Sequence, residues 1–281
     1  NKKKKIKNLL FKKKKKKLFS IIIPVKKIND YILLNLKEIR KQLKQSYEII
    51  IVTDKQNLNY KFLNEKNVKI ISSGVVGPAK KRDIGFNHSS GEIIVFLDDD
   101  SYPAKNFFNI AKELFRKKKV SVVGGPGMTP LKSSISEKMS GIFFSSPLGG
   151  GFPERYYPIG KSRFVEEWPT VNFLMRRVTF KKVKGFGRDI WPGEDTYLCK
   201  KLKKIGESSV DINGVGLYTL GKYRKILTEN QKAEYKKLFR DYFLKSFSGR
   251  LVSYKDAKII VISEEVKNEK YTIVYSKLIG T

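Results

Sequence analysis

Four short, unbroken apolar runs constrain this chain more than any other feature of its sequence. They are LFSIIIPV at 18–25, YEIIIVT at 47–53, VKIIS at 68–72 and EIIVFL at 92–97. Each is strand length, and each is continuously apolar rather than alternating, as expected of strands covered on both faces. Amphipathic sequence separates them. Residues 31–44 place Leu33, Leu36, Ile39 and Leu43 at helical spacing, with Asn29 or Asp30 as the cap. A helix follows over about 79–89 with Pro78 near its first turn, then another over 104–117 and a strand at 120–123. This rhythm predicts an α/β fold: a Rossmann-like, mostly parallel central sheet with helices on both faces and right-handed crossovers. Such sheets bind ligands beyond the carboxyl ends of their strands. The polar groups cluster there: Asp54 after the second run, the 74–83 segment after the third, and Asp98, Asp99 and Asp100 after the fourth.

Beyond residue 125 the pattern changes. A helix is expected at 133–144, a long loop rich in Gly, Pro and aromatics at 148–163, and a strand at 171–177 that pairs later in the sheet. A helix over about 195–205 carries Tyr197, Leu198, Leu202 and Ile205, and SSVDING at 208–214 reads as a short strand. From 229 a basic helix aligns Tyr235, Leu238, Phe239, Tyr242 and Phe243, and strands are expected at 257–263 and 271–277. The domain organisation expected is a lysine-rich arm at 1–17, a main domain at 18–228 and a small basic extension at 229–281. Met128, Met139, Met175 and Cys199 read as packing residues.

Composition narrows the chemistry. Cys199 is the single cysteine and His88 the single histidine, which excludes a disulfide framework, a Cys-based zinc site and a His-rich metal site. His88 reads as a surface or C-cap residue. The formal net charge is +32, with eleven lysines between residues 2 and 17. A flexible cationic arm of this kind suits an anionic membrane surface, suits nucleic acid non-specifically, or reflects lysine bias alone. No apolar stretch reaches the 18 or so residues of a membrane span. The chain opens with Asn, which reads as a fragment or a processed product.

The candidate site residues each admit two readings. Three carboxylates in a row repel one another, and a divalent cation held by Asp98 and Asp100 relieves that; alternatively DDDS is a turn capping the next helix. Asp54 accepts hydrogen bonds from a base or ribose, or caps a loop. Lys80, Lys81 and Arg82 face a phosphate with the free N–H groups of their helix, or form a solvated turn. Glu194 and Asp195 open a helix, either as caps or with one acting as general base. Trp191 beside them offers a face for a sugar ring. The sequence lacks GxxxxGK[ST] and the dinucleotide-binding glycine pattern, which disfavours phosphate-loop enzymes and dehydrogenases.

Taken in order, FSIIIPV, YEIIIVTD, GPAKKRDIGFNHSSGEIIVFLDDD at 77–100 and WPGED at 191–195 resemble family 2 of the glycosyltransferases, which have the GT-A fold. The resemblance covers roughly 18–220. It implies metal-dependent, inverting transfer of a sugar from a nucleotide-diphosphate donor to a hydroxyl acceptor, saccharide or lipid-linked. Asp54, Lys80, Arg82, Asp98, Asp99 and Asp100 would bind the nucleotide-sugar, with Asp98 and Asp100 holding Mn2+ or Mg2+. Asp195 would be the general base, with Glu194 second. Trp191, Arg163 and Glu194 would meet the acceptor; from composition and placement, the 148–163 loop with Arg155 and Arg163 either covers the donor or shapes the acceptor pocket.

The sequence also departs from the family pattern. Thr53-Asp54-Lys55-Gln56 lacks the first acid usual there, and Arg82-Asp83 stands where Arg-Asn is usual. The segment 216–225 lacks the histidine many relatives carry, which leaves Lys222 or Arg224 for phosphate. The alternative this raises is a catalytically impaired GT-A domain that binds nucleotide-sugar or saccharide. A nucleotidyl-transferring enzyme and a nucleic-acid binder rank below it, and no specific nucleic acid is expected. The expected setting is cytoplasmic, peripheral on the inner face of a membrane through the lysine arm.

Overall fold

The computed structural model describes residues 17–44, 46–55, 66–117, 120–149, 152–158, 160, 162–208, 211–250, 258–268 and 271–279. The arm expected at 1–17 therefore lies outside the described residues except for Lys17. The chain divides into two compact units, one holding residues 1–115 and 120–206, the other 116–119 and 207–281.

The first unit contains β1 (Phe19–Pro24), α1 (Asp30–Gln42), β2 (Tyr47–Thr53), β3 (Val68–Ser72), α2 (Pro78–Asn87), β4 (Ile93–Leu97) and α3 (Phe107–Lys117). After these come β5 (Val122–Gly124), α4 (Ile135–Phe144), β6 (Asn172–Arg176), α5 (Arg177–Lys182) and α6 (Glu194–Ser208). The sheet order is β3-β2-β1-β4-β6-β5. Strands β1 to β4 pair in parallel, whereas β6 runs antiparallel between β4 and β5. The expected GT-A-type, mostly parallel sheet with helices on both faces is the one observed.

The unbroken apolar runs are buried because alternate side chains enter two different cores. Ile21, Ile23, Ile49, Ile51 and Val95 pack with Ile32, Leu36 and Ile39 of α1 and with Phe108 and Phe115 of α3. Ile22, Ile50, Val52, Ile94 and Phe96 pack with Ala79 of α2, Phe180 of α5 and Leu198 of α6. The buried face of α1 is therefore Ile32, Leu36 and Ile39, and Leu33 is exposed. Gly85 lets α2 lie close on the sheet, since a Cβ there would sit 2.5 Å from Ile22 Cγ2. At the amino ends of the strands, Glu48 is fully buried. It accepts hydrogen bonds from Ser20 Oγ at 2.8 Å, Ser90 N at 2.5 Å and Lys17 Nζ at 2.8 Å, which ties β1, β2 and the turn before β4 together.

Two expectations need correction. Of the strand expected at 208–214, the described residues are helical instead: Ser208 ends α6, and Asp211 accepts from Gly214 N at 2.9 Å and caps the helix α7 (Ile212–Thr219). A short acidic cap outweighs the weak strand pattern of SSVDING. Of the three methionines read as packing residues only Met175 is buried, while Met128 and Met139 are exposed.

In the second unit, α8 (Glu229–Arg250) packs on α7, with Phe239 against Gly216 and Thr219 Oγ1 2.9 Å from the Tyr235 hydroxyl. The strands β7 (Lys258–Asn268) and β8 (Tyr271–Ile279) form an antiparallel hairpin.

Candidate active site

Helix α2 begins at Pro78, after Gly77, and turns two consecutive cations inward. Lys81 and Arg82 are each only 3% exposed. Buried charges of this kind are stable only when paired, and both are. Lys81 Nζ donates to the Val25 carbonyl at 2.7 Å and pairs with Asp54, at the end of β2. Arg82 reaches two acids from different parts of the chain. Its Nη2 lies 2.6 Å from Asp98 Oδ1, after β4, and its Nη1 lies 3.3 Å from Glu194 Oε1, at the start of α6. One short helical segment thus gathers the carboxyl ends of β1, β2 and β4 and the first turn of α6.

The acidic triplet sits in a turn closed by Ser101, whose N–H and hydroxyl both donate to the Asp98 carbonyl, at 3.2 and 2.9 Å. Asn35 braces the same turn through the Ser101 carbonyl. No helix starts there, because α3 opens only at Phe107, so the triplet is not a helix cap. Its three acids are placed differently. Asp98 faces Arg82, and Asp99 accepts from Asn29 Nδ2 at 2.6 Å. Asp100 has no cation partner among the described residues. Partial desolvation, then the charges of Asp98 and Asp99, push its carboxyl above the usual range. Beside the triplet, Val25, Lys26, Lys27, Ile28, Asn29 and Asp99 line an open hollow of about 550 Å3 at the end of β1.

On the other side of Arg82, Asp195 follows Glu194 on the first turn of α6. Burial raises its pKa, while a 2.5 Å hydrogen bond from Thr170 Oγ1 and the charge of Arg82 act against the rise. Glu194 is tied to Arg82, so of the two acids Asp195 is the one with no ion pair among the described residues. The segment before α6 is held from both sides. Asp83 accepts from the amides of Phe186 and Gly187, both at 2.9 Å, and Lys201 Nζ donates to the Gly185 carbonyl at 2.5 Å. Asp189, further along, accepts from Gly77 N at 3.1 Å, just before α2.

The structure therefore pairs Asp54 with the buried Lys81, and Asp98 and Glu194 with the buried Arg82 beside it, with Asp99, Asp100 and Asp195 adjacent in the chain. It does not bring in every expected residue. Lys80 is exposed on α2, and the inward lysine is its neighbour Lys81. Trp191 is largely exposed and makes no hydrogen bond to the acids. Arg163 pairs with Glu154 at 2.5 Å, and Arg155 pairs with Glu167 at 2.9 Å. Lys81, Thr170 and Asp83 were underweighted in the sequence. Lys81 was read only as one of three cations facing a phosphate and Asp83 only as a departure from the family's Arg-Asn pair, and Thr170 carries no local signal.

Among the described residues no three acids, histidines or cysteines converge as a ready-made metal cage. The family model described as "Glycosyl transferase family 2" matches residues 20–183, and one described as "MlaC protein" matches residues 188–281. Two curated proteins of Staphylococcus aureus, from strains MW2 and Mu50, are each named poly(ribitol-phosphate) beta-N-acetylglucosaminyltransferase TarS. Each is 26% identical over 196 residues, 66% of this chain and 30% of the relative. The chain thus spans less than a third of the length of those relatives. Among solved structures, S. aureus TarS 1–349 with UDP-GlcNAc aligns with TM-score 0.49 and 20% identity, over 66% of this chain and 53% of that one. The mannosyltransferase PcManGT from Pyrobaculum calidifontis, with GDP-Man and Mn2+, aligns with TM-score 0.47 and 14% identity, over 72% and 58%.

Proposed function

The chain belongs to glycosyl transferase family 2, and on that premise we propose that it moves a sugar from a nucleotide-diphosphate donor to a hydroxyl acceptor, with inversion. The observation that supports this most is the double pairing of the buried Arg82, which sets the acids after β4 beside those opening α6. A donor diphosphate at the first set and an acceptor hydroxyl at the second would meet across one guanidinium.

In this mechanism Asp195 takes the proton of the acceptor hydroxyl as that oxygen attacks the anomeric carbon. The bond to the diphosphate breaks on the opposite face of the sugar, which inverts the centre. Burial suits Asp195 to the task by making it a stronger base than an exposed aspartate, and Thr170 fixes its orientation. Glu194 is the weaker candidate because its charge is spent on Arg82. Asp54 and Lys81, with the hollow beside Asp99, would receive the nucleoside end of the donor.

The acidic turn fits a divalent cation, Mn2+ or Mg2+. Asp100 has no cation partner among the described residues and is repelled by its neighbours, and Asp98 has one carboxylate oxygen beyond the one on Arg82. With no three-acid cage among the described residues, the remaining positions would fall to donor oxygens and water. Held by Asp98 and Asp100, such an ion would supply positive charge against the departing diphosphate. The acceptor of the S. aureus relatives, as their name states, is a poly(ribitol-phosphate). A net charge of +32 suits an acceptor of that polyanionic class, and an N-acetylglucosaminyl donor is the first to try.

The test is a panel of nucleotide-sugars incubated with Mn2+ and the full chain, read as release of nucleoside diphosphate. Release by wild type and its loss in Asp100→Ala and Asp195→Ala is the expected pattern. Equal release by all three proteins would refute it. Donor binding without release in wild type would favour the binding-module alternative.

A further inference from the structure

Helix α4 (Ile135–Phe144) has no buried residue, although it is the firmly capped helix of the long β5–β6 connection. Ser134 and Glu137 form a reciprocal capping box at its start. Ile135, Met139, Ile142 and Phe143 are spaced i, i+4, i+7 and i+8, so they fall on one face. All four are more than half exposed, at 81%, 63%, 65% and 55%. Leu131 and Leu148, just before and after the helix, are exposed at 93% and 88%. The opposite face makes the contacts. Gly141 is set so close to Thr129 that a Cβ would collide with it, and Phe144 stacks on Tyr156 with ring centroids 5.3 Å apart. The helix is thus anchored by its small and aromatic side, and its aliphatic stripe points away from the unit. Soluble chains rarely leave a continuous apolar stripe of this kind uncovered.

We infer that this stripe docks on an anionic lipid surface, with α4 lying in the plane of the interface. Charge decides the occupant. Lys132 and Lys138 flank the stripe, both exposed and neither ion-paired among the described residues. The one acid of the helix, Glu137, is turned to its cap at Ser134. A second copy of the chain would bring the same exposed lysines against this face and is itself strongly cationic, whereas anionic headgroups neutralise Lys132 and Lys138. The stripe is the convex side of one helix and not a groove, which suits insertion at the headgroup–acyl boundary. No helix among the described residues is long and apolar enough to cross a membrane, so contact through α4 is peripheral. Docking is independent of whether the site transfers sugar.

The full chain is tested by co-sedimentation with phosphatidylcholine vesicles containing about 30% phosphatidylglycerol, at low salt and at about 0.5 M salt, where lysine attraction is screened. Wild type should bind. The triple variant Ile135→Ser, Met139→Ser, Ile142→Ser should bind about tenfold or more weakly at high salt, with unchanged circular dichroism. As an independent probe, Met139→Cys labelled with an environment-sensitive fluorophore should shift to the blue on these vesicles, Cys199 being buried and spared. Three outcomes would overturn the inference. The variant could bind as well as wild type, or the fluorophore could stay unshifted on vesicle-bound protein. Alternatively, lipid-free protein could form a dimer that the triple variant dissolves, which would assign the face to a second copy.

Discussion

Replacing Glu48 with Gln tests the electrostatics of the sheet at the end remote from the active site. Burial by itself would raise the pKa of this carboxyl. Hydrogen bonds from Lys17, Ser20 and Ser90 more than offset that and bring it from an ordinary 4.5 down to about 2. A tenfold change in proton affinity is worth about 1.4 kcal/mol, so the fall corresponds to roughly 3 kcal/mol. Lys17 and Lys69, the two ammonium partners, are 29% and 47% exposed, and water screening brings the expected contribution to about 2 kcal/mol. The folded-state pKa is depressed, so this stability is fully present above pH 4.5 and is lost as pH falls from there toward 2. Urea unfolding followed by circular dichroism should show Glu48→Gln less stable than wild type by about 2 kcal/mol at pH 7. The difference should shrink steadily as pH falls below 4.5 and be largely gone by pH 2. Nucleoside diphosphate release per folded molecule should not change, because Glu48 lies at the amino ends of the strands. Equal stability at pH 7, or a difference that persists unchanged on acidification, would refute the assignment.

Three further outcomes follow from the site. Thr170 donates to the ionised form of Asp195, so Thr170→Val should raise the pKa of the base and move the acid limb of the kcat/KM profile to higher pH; an unmoved limb would detach Asp195 from proton transfer. Arg82→Met leaves Asp98 and Glu194 without their shared cation and should cost about 3 kcal/mol in stability, seen as a lowered melting temperature, with Arg82→Lys recovering part of it. Asp83→Ala releases the amides of Phe186 and Gly187 and should raise the acceptor KM severalfold, while donor affinity measured by calorimetry stays near wild type.

Much of the first unit was legible because its strands are strong local signals. Ile21 to Ile23 and Ile49 to Val52 are apolar at every position, and only a sheet buried on both sides can use them so. The acids at 98–100 were visible for the same reason, since the strand that precedes them fixes where they emerge. The antiparallel insertion of β6 between β4 and β5 was not visible, because register and order depend on pairing across the long 125–171 connection. The helix at Ile212–Thr219 was misread because its cap is a single aspartate. Met139 was misread because helical spacing shows that a face is apolar without showing which way it turns.

The sequence alone determined the layered α/β architecture, the family resemblance and the stretches from which the site is drawn, since each rests on local pattern and short-range spacing. Tertiary structure alone decided that Lys81 rather than Lys80 turns inward, that Arg82 bridges Asp98 and Glu194, and that Asp195 and Asp100 have no ion-pair partner among the described residues. Those are pairings between residues as many as 112 positions apart. They are fixed by the need of each buried charge for a partner, and no local pattern encodes which partner that is.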